Sequence, residues 1–282
     1  VGLRFFGQGM LGHISMVFCG KWFFKNKGKA VAVANSGYTL AEAIMPTIFV
    51  ALIGLLSWQV SWYVSIIMSI LILASVRFLA KTERNKGTKP QKENQQVGML
   101  KKSWKRSEML RSWVFWAAVP GLMTSPMITT TLFFHQVHLV EIKSWDLSTY
   151  VLFIPAYSAA TLFSLYLIGY LVDKLSTKII LPVFLFPLIS GLLLLSIATS
   201  YLELLLIFIL LGLSAGAYIV VYGTFFPEFF GSLYLGSVRT VGVTIMVFSS
   251  AIGPVLSGYF IDLGYLIDHQ FKFFAAFSVF AS

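Results

Sequence analysis

Apolar runs about as long as a bilayer is thick recur from one end of the chain to the other. Spans are predicted at about 1–19, 30–56, 58–80, 112–138, 148–172, 179–199, 202–226 and 239–261, with a shorter apolar stretch from about residue 271. A helix rises about 1.5 Å per residue, so about 20 apolar residues cross a hydrocarbon core of about 30 Å. A transmembrane barrel would instead show alternating segments of about 10 residues. The pattern therefore predicts an all-α fold, a polytopic membrane helical bundle. Gly and Pro inside the spans do not oppose helix, because neighbouring helices satisfy the freed backbone groups.

Composition agrees. Of 282 residues, 57% are hydrophobic and 11% charged, where soluble domains carry about 25% charged residues. Mean hydropathy is +0.82. Cys19 is the single cysteine, which excludes an internal disulfide. His135, His138 and Glu141 spread over about a third of a helix circumference, a poor metal set. No Ser-His-Asp constellation and no phosphate-binding loop is present, so no metal, no cofactor and no catalytic role are expected. The chain opens inside an apolar segment, "VGLRFFGQGM", and closes on about half a span, "FKFFAAFSVFAS". It reads as a fragment.

The net charge is +10, and its distribution matters more than its size. Lys21, Lys25, Lys27 and Lys29 fill the first connection, and the second has no charge. Residues 81–111 carry ten Lys and Arg. The fourth connection sets Lys143 against Glu141 and Asp146. Lys174 and Lys178 mark the fifth and Arg239 the seventh. Basic residues gather on the cytoplasmic side, so the odd-numbered connections are predicted to be cytoplasmic. The charge is topology, and no nucleic-acid partner is expected. Residues 81–98 read as a mobile linker. In "MLKKSWKRSEMLR" (99–111) an apolar set among basic residues suits either a short helix on the anionic leaflet or a solvated linker end.

An internal repeat is visible. Gly28 and Pro46 recur as Gly236 and Pro254, each pair preceded by an aromatic amphipathic segment. Secondary transporters are built from such repeats, with the substrate between them. "GYLVDKLSTK" (169–178) resembles the loop motif G-x-L-x-D-R/K-x-G-R-K/R of the major facilitator superfamily, with Ser176 and Thr177 in place of Gly and Arg. "RFFGQG" (4–9) looks like its fourth-helix motif, R-x-x-Q-G. "PEFFGSLYLGSVR" looks like its connection between the tenth and eleventh helices. The resemblance implies a two-bundle architecture covering helices four to twelve. Residues 1–80 would be a remnant of the N-terminal bundle, 81–111 the central linker and 112–282 the C-terminal bundle. It also implies a gating loop at Gly169, Asp173, Lys174 and Lys178, and a monomer in a bacterial cytoplasmic membrane. The helix-five antiporter signature G-x-x-x-G-P is absent from span two. A looser similarity is to bacterial monocarboxylate-type and oxalate-type carriers.

Polar residues three to four apart share a helix face, and several spans carry one such stripe. Arg4 and Gln8 lie on span one, and Asn35, Tyr38 and Glu42 on span two. Thr124, Thr131 and His135 lie on span four. Span five carries Tyr150, Tyr157, Thr161 and Ser164, and span seven carries Ser214, Tyr218 and Tyr222. Together they suggest a shared water-filled cavity, with interhelical hydrogen bonding as the alternative. Arg4, Gln8, Asn35, Tyr38, Glu42, Tyr157, Tyr218 and Tyr222 are the candidates for substrate binding and coupling. Arg4 and Glu42 fall at similar depths and are expected to pair or to share the cavity. The function expected is secondary active transport of a small solute by alternating access, as a symporter of a small organic anion with protons. A drug or metabolite efflux antiporter, a membrane-embedded enzyme and a non-transporting sensor are the alternatives.

Overall fold

The computed structural model describes residues 10–23, 26–85 and 96–282, and among them it has no strand. The helices are α1 (Leu11–Trp22), α2 (Lys27–Leu55), α3 (Trp58–Asn85), α4 (Arg106–Leu110), α5 (Trp113–Phe134), α6 (Gln136–Ile142) and α7 (Leu147–Val151). They continue as α8 (Ile154–Leu175), α9 (Thr177–Ile180), α10 (Phe186–Ile197), α11 (Tyr201–Phe230), α12 (Leu235–Asp262) and α13 (Ile267–Ala281). Helices α3, α5, α8, α11 and α12 are long and apolar enough to cross a membrane.

Several predicted boundaries move, mostly at prolines. Span 179–199 is broken, because Pro182 follows α9 and Pro187 sits in the first turn of α10. Proline lacks the amide that would continue one helix, yet suits the first turn of the next. Pro155 likewise opens α8 and parts it from α7. Span 112–138 ends at Phe134 and turns into α6. The stretch from 271 begins earlier, at Ile267. Arg239, placed in a connection by sequence, lies inside α12.

Packing divides the described residues into two units. One holds the remainder of α2 from Leu40 together with α3. In it, α3 exposes Ile66, Ile67, Ile70, Leu71 and Leu73, side chains suited to lipid. Its serines do not oppose that role. The Ser65 hydroxyl donates to the Ser61 carbonyl (2.8 Å) and the Ser69 hydroxyl to the Ser65 carbonyl (2.8 Å), which satisfies each one within the helix.

The other unit holds α1, α2 through Thr39, and everything from residue 96 onward. Its centre is the α8–α11 pair. A Cβ added to Gly212 would sit 2.3 Å from the Tyr157 carbonyl oxygen, and one added to Gly216 would sit 2.5 Å from that of Thr161. Small residues are what let two backbones approach so closely. Phe115, Phe208, Phe225, Phe226 and Phe230 are fully buried around this pair.

The basic segment 99–111 neither floats nor lies free. Gln96 accepts a hydrogen bond from the Ser232 amide (3.0 Å), and the Trp104 amide donates to the Phe230 carbonyl (2.9 Å). The Trp104 ring meets Phe230 edge-on and Met109 is wholly buried. Trp104 docks this segment to the end of α11, while Leu100 stays exposed. Residues 81–85, read as linker, form the last turn of α3, and 86–95 lie outside the described residues. A hydrogen bond from the Lys102 ammonium and one from the Lys105 amide hold the Glu108 carboxyl below the usual carboxylate range.

Candidate functional site

The ends of α2, α8 and α11 meet where the basic connections lie. Asp173, in the last turn of α8, accepts hydrogen bonds from the Gly28 amide (2.7 Å) and the Lys29 amide (3.0 Å). These amides belong to the first turn of α2 and have no partner within their own helix. A carboxylate there also meets the positive end of the helix dipole. Glycines permit the contact. A Cβ on Gly28 would lie 2.2 Å from the Gly169 carbonyl oxygen, and one on Gly169 would lie 2.8 Å from that of Gly28. Lys29 and Lys174 both lie over the Tyr170 ring, at 5.8 and 4.6 Å, and Lys178 lies over Phe229 at 5.8 Å.

Beside this contact is a buried ion pair. Glu228, in the last turn of α11, receives the Lys27 ammonium, the Ser176 hydroxyl and the Thr177 hydroxyl. The Thr177 amide also donates to it, at 3.1 Å. Lys27 is 9% exposed. Both charges are therefore matched, and the carboxylate oxygens are fully used. Ser176 reaches Glu228 from a left-handed backbone, φ 80°. That region favours glycine, the residue the loop motif has at this position.

A second buried cation is treated differently. Arg239 of α12 is 5% exposed. The ion pairs of the described residues are Lys27–Glu228, Lys102–Glu108 and Lys143–Asp268, and none includes it. Its Nε has no hydrogen-bond partner. The Tyr222 ring lies 5.2 Å from the guanidinium carbon, and Tyr218 stacks on Tyr222 at 5.4 Å. A cation over a ring gains about 2 kcal/mol when desolvated, less than the several kcal/mol needed to bury an ion. The hydroxyls of Ser214, Tyr218 and Tyr222 are also buried without a hydrogen-bond partner. These residues are four apart, so they stand on one face of α11. Gly242, one turn beyond Arg239, would bring an added Cβ to 3.1 Å from the Tyr222 hydroxyl. His13 and Cys19 of α1 lie within electrostatic reach of the guanidinium.

Tyr157 is buried and meets Phe133 edge-on. The Asn35 amide group donates to the Val31 carbonyl (2.8 Å) and approaches the Met16 sulfur (3.6 Å). Tyr38 is 60% exposed, and Glu42 is exposed on the part of α2 beyond Thr39. Arg4 and Gln8 lie outside the described residues, and with them the expected approach of Arg4 to Glu42. The threonine hydroxyls are satisfied within their own helices. Thr124, Thr131 and Thr161 donate to the carbonyls of Pro120, Met127 and Tyr157 on their own helices, at 2.7, 2.7 and 2.8 Å. Arg239 and Glu228 are the residues that sequence reasoning missed.

A family model described as Major Facilitator Superfamily matches residues 2–254. Comparison with curated proteins gave no match.

Proposed function

The chain belongs to the major facilitator superfamily, whose members are membrane transporters, and from that membership we propose a secondary transporter that moves a small organic anion by alternating access, coupled to protons. In the superfamily's numbering α2 is helix five and α8 is helix eight, so they belong to opposite six-helix halves. The observation that carries the reading is the Asp173 carboxylate on the first amides of α2. This latch ties the two halves at their cytoplasmic ends, which is the closed side of an outward-facing carrier. Each of its parts is separable, since hydrogen bonds and a glycine contact break without rearranging either helix. Glu42 on α2 and Arg4 on the preceding span are the residues proposed for proton coupling and anion attraction. Tyr157, Tyr218 and Tyr222 supply polar groups on the C-terminal side.

The test is made on the full-length protein in proteoliposomes. Asp173→Asn removes a charge worth about 1 kcal/mol at a helix N-terminus, roughly a fivefold shift in population. Cysteines placed below the latch are expected to become several-fold more reactive from the cytoplasmic side, with altered uptake of small carboxylates. Unchanged reactivity with unchanged uptake contradicts the latch.

A further inference from the structure

We propose that Arg239, Tyr222 and Tyr218 form an inner subsite for a small carboxylate, lying just beneath the cytoplasmic latch. It rests on the transport reading given above and adds to it a binding station on α11 and α12.

The argument starts from unmet chemistry. Four buried polar groups, the Arg239 Nε and the hydroxyls of Ser214, Tyr218 and Tyr222, have no hydrogen-bond partner. Buried polar groups in folded proteins are nearly always paired, so four together on two facing helices mark a place built for something else. All four can donate, the guanidinium can only donate, and no carboxylate of the described residues pairs with it. The group that fits is therefore an acceptor with negative charge. A guanidinium presents its N–H groups in a planar fork that matches the two oxygens of a carboxylate. A tyrosine hydroxyl beside it can donate to the same oxygens.

Position gives the subsite its role. Arg239 is four residues into α12, about 6 Å from that helix end, and Tyr222 is eight residues before the end of α11, about 12 Å from it. Tyr218 and Ser214 continue the same face of α11 by one turn each. The donors thus form a ladder that leads from the interior toward the latched end. Close packing holds the upper rung, because a Cβ on Gly242 would meet the Phe226 ring at 2.2 Å as well as the Tyr222 hydroxyl. An anion leaving the middle of the protein would find at Arg239 a buried positive charge that no carboxylate already holds, unlike Lys27 at the latched end.

The experiment uses the purified full-length protein and three probes: oxalate, acetate and the neutral analogue acetamide. Binding is followed by calorimetry, and uptake of the same radiolabelled probes is followed in proteoliposomes. Oxalate or acetate is expected to bind the wild type saturably, and acetamide is not. Arg239→Gln should abolish binding. Tyr222→Phe, which keeps the ring over the guanidinium and removes only the hydroxyl, should weaken it about tenfold and raise the KM for uptake. The phenylalanine variant keeps the test valid if Arg239→Gln fails to fold. Absence of binding to the wild type, or equal binding by wild type and Tyr222→Phe, overturns the subsite. Uptake with a KM that neither variant changes overturns the subsite and leaves the transport reading standing. Binding that depends on Arg239 without uptake leaves the subsite standing and overturns the transport reading.

Discussion

Two cations are buried in the same unit, and the protein handles them in opposite ways. Lys27 is matched by Glu228, and two neighbouring residues complete the shell of that carboxylate. Arg239 is as deeply buried and has a tyrosine ring, but no acceptor for its Nε. A paired ion that loses its partner leaves an uncompensated charge and destabilises by about 3–5 kcal/mol. An ion that was never paired already bears that penalty, so its removal should cost the fold little. The contrast separates a charge kept for structure from one kept for a ligand.

The largest expected effect follows directly. Glu228→Leu, which strands Lys27, should lower stability by about 3–5 kcal/mol. Arg239→Met should leave it unchanged or raise it. Thermal unfolding of both variants in detergent checks the pair, and equal losses would erase the distinction.

A smaller effect is expected at the latch. Gly28→Ala forces a methyl group against the Gly169 carbonyl, where neither backbone can yield without separating the helices. Overpacking of this kind costs about 1–3 kcal/mol, roughly a 5- to 150-fold loss in the latched population. Cytoplasmic thiol reactivity measures it, and wild-type reactivity would show that the close contact is dispensable.

Smallest is the change at Ser176. Ser176→Gly relieves a positive-φ extended backbone worth about 1–3 kcal/mol and loses a hydrogen bond to a charged group worth about 1.5–3 kcal/mol. The two nearly cancel, so stability should move by about 1 kcal/mol or less, whereas Ser176→Ala keeps the strain and loses the bond. Denaturation of the two variants side by side decides it, with the alanine variant expected to be the weaker.

These contrasts also explain what the sequence could reveal. The spans of α3, α5, α8, α11 and α12 were legible because an apolar run of bilayer length has few alternatives, whereas the prolines that break 179–199 interrupt no such run. Asp173 was legible because its loop is a local pattern, and the motif glycine Gly169 proves to be a contact that only glycine allows. Glu228 and Lys27 were not, because their pairing spans 201 residues and each alone looks like a charge at a helix end. Arg239 was hidden for the same reason. Counting basic residues by connection treats every charge near a span boundary as exposed, and α12 starts four residues before this one. Four unmatched donors can be recognised only once two helices are placed face to face.

In the proposed transport cycle the basic ends of α2 and α8 part for solute to cross. Lys29 and Lys174 reach the same Tyr170 ring, so cysteines at 29 and 174, in a Cys19→Ser background, are suited to a short reducible crosslinker. Crosslinking the full-length protein in proteoliposomes should stop uptake, and reduction should restore it. Uptake that continues at the full rate in the crosslinked protein would contradict that cycle.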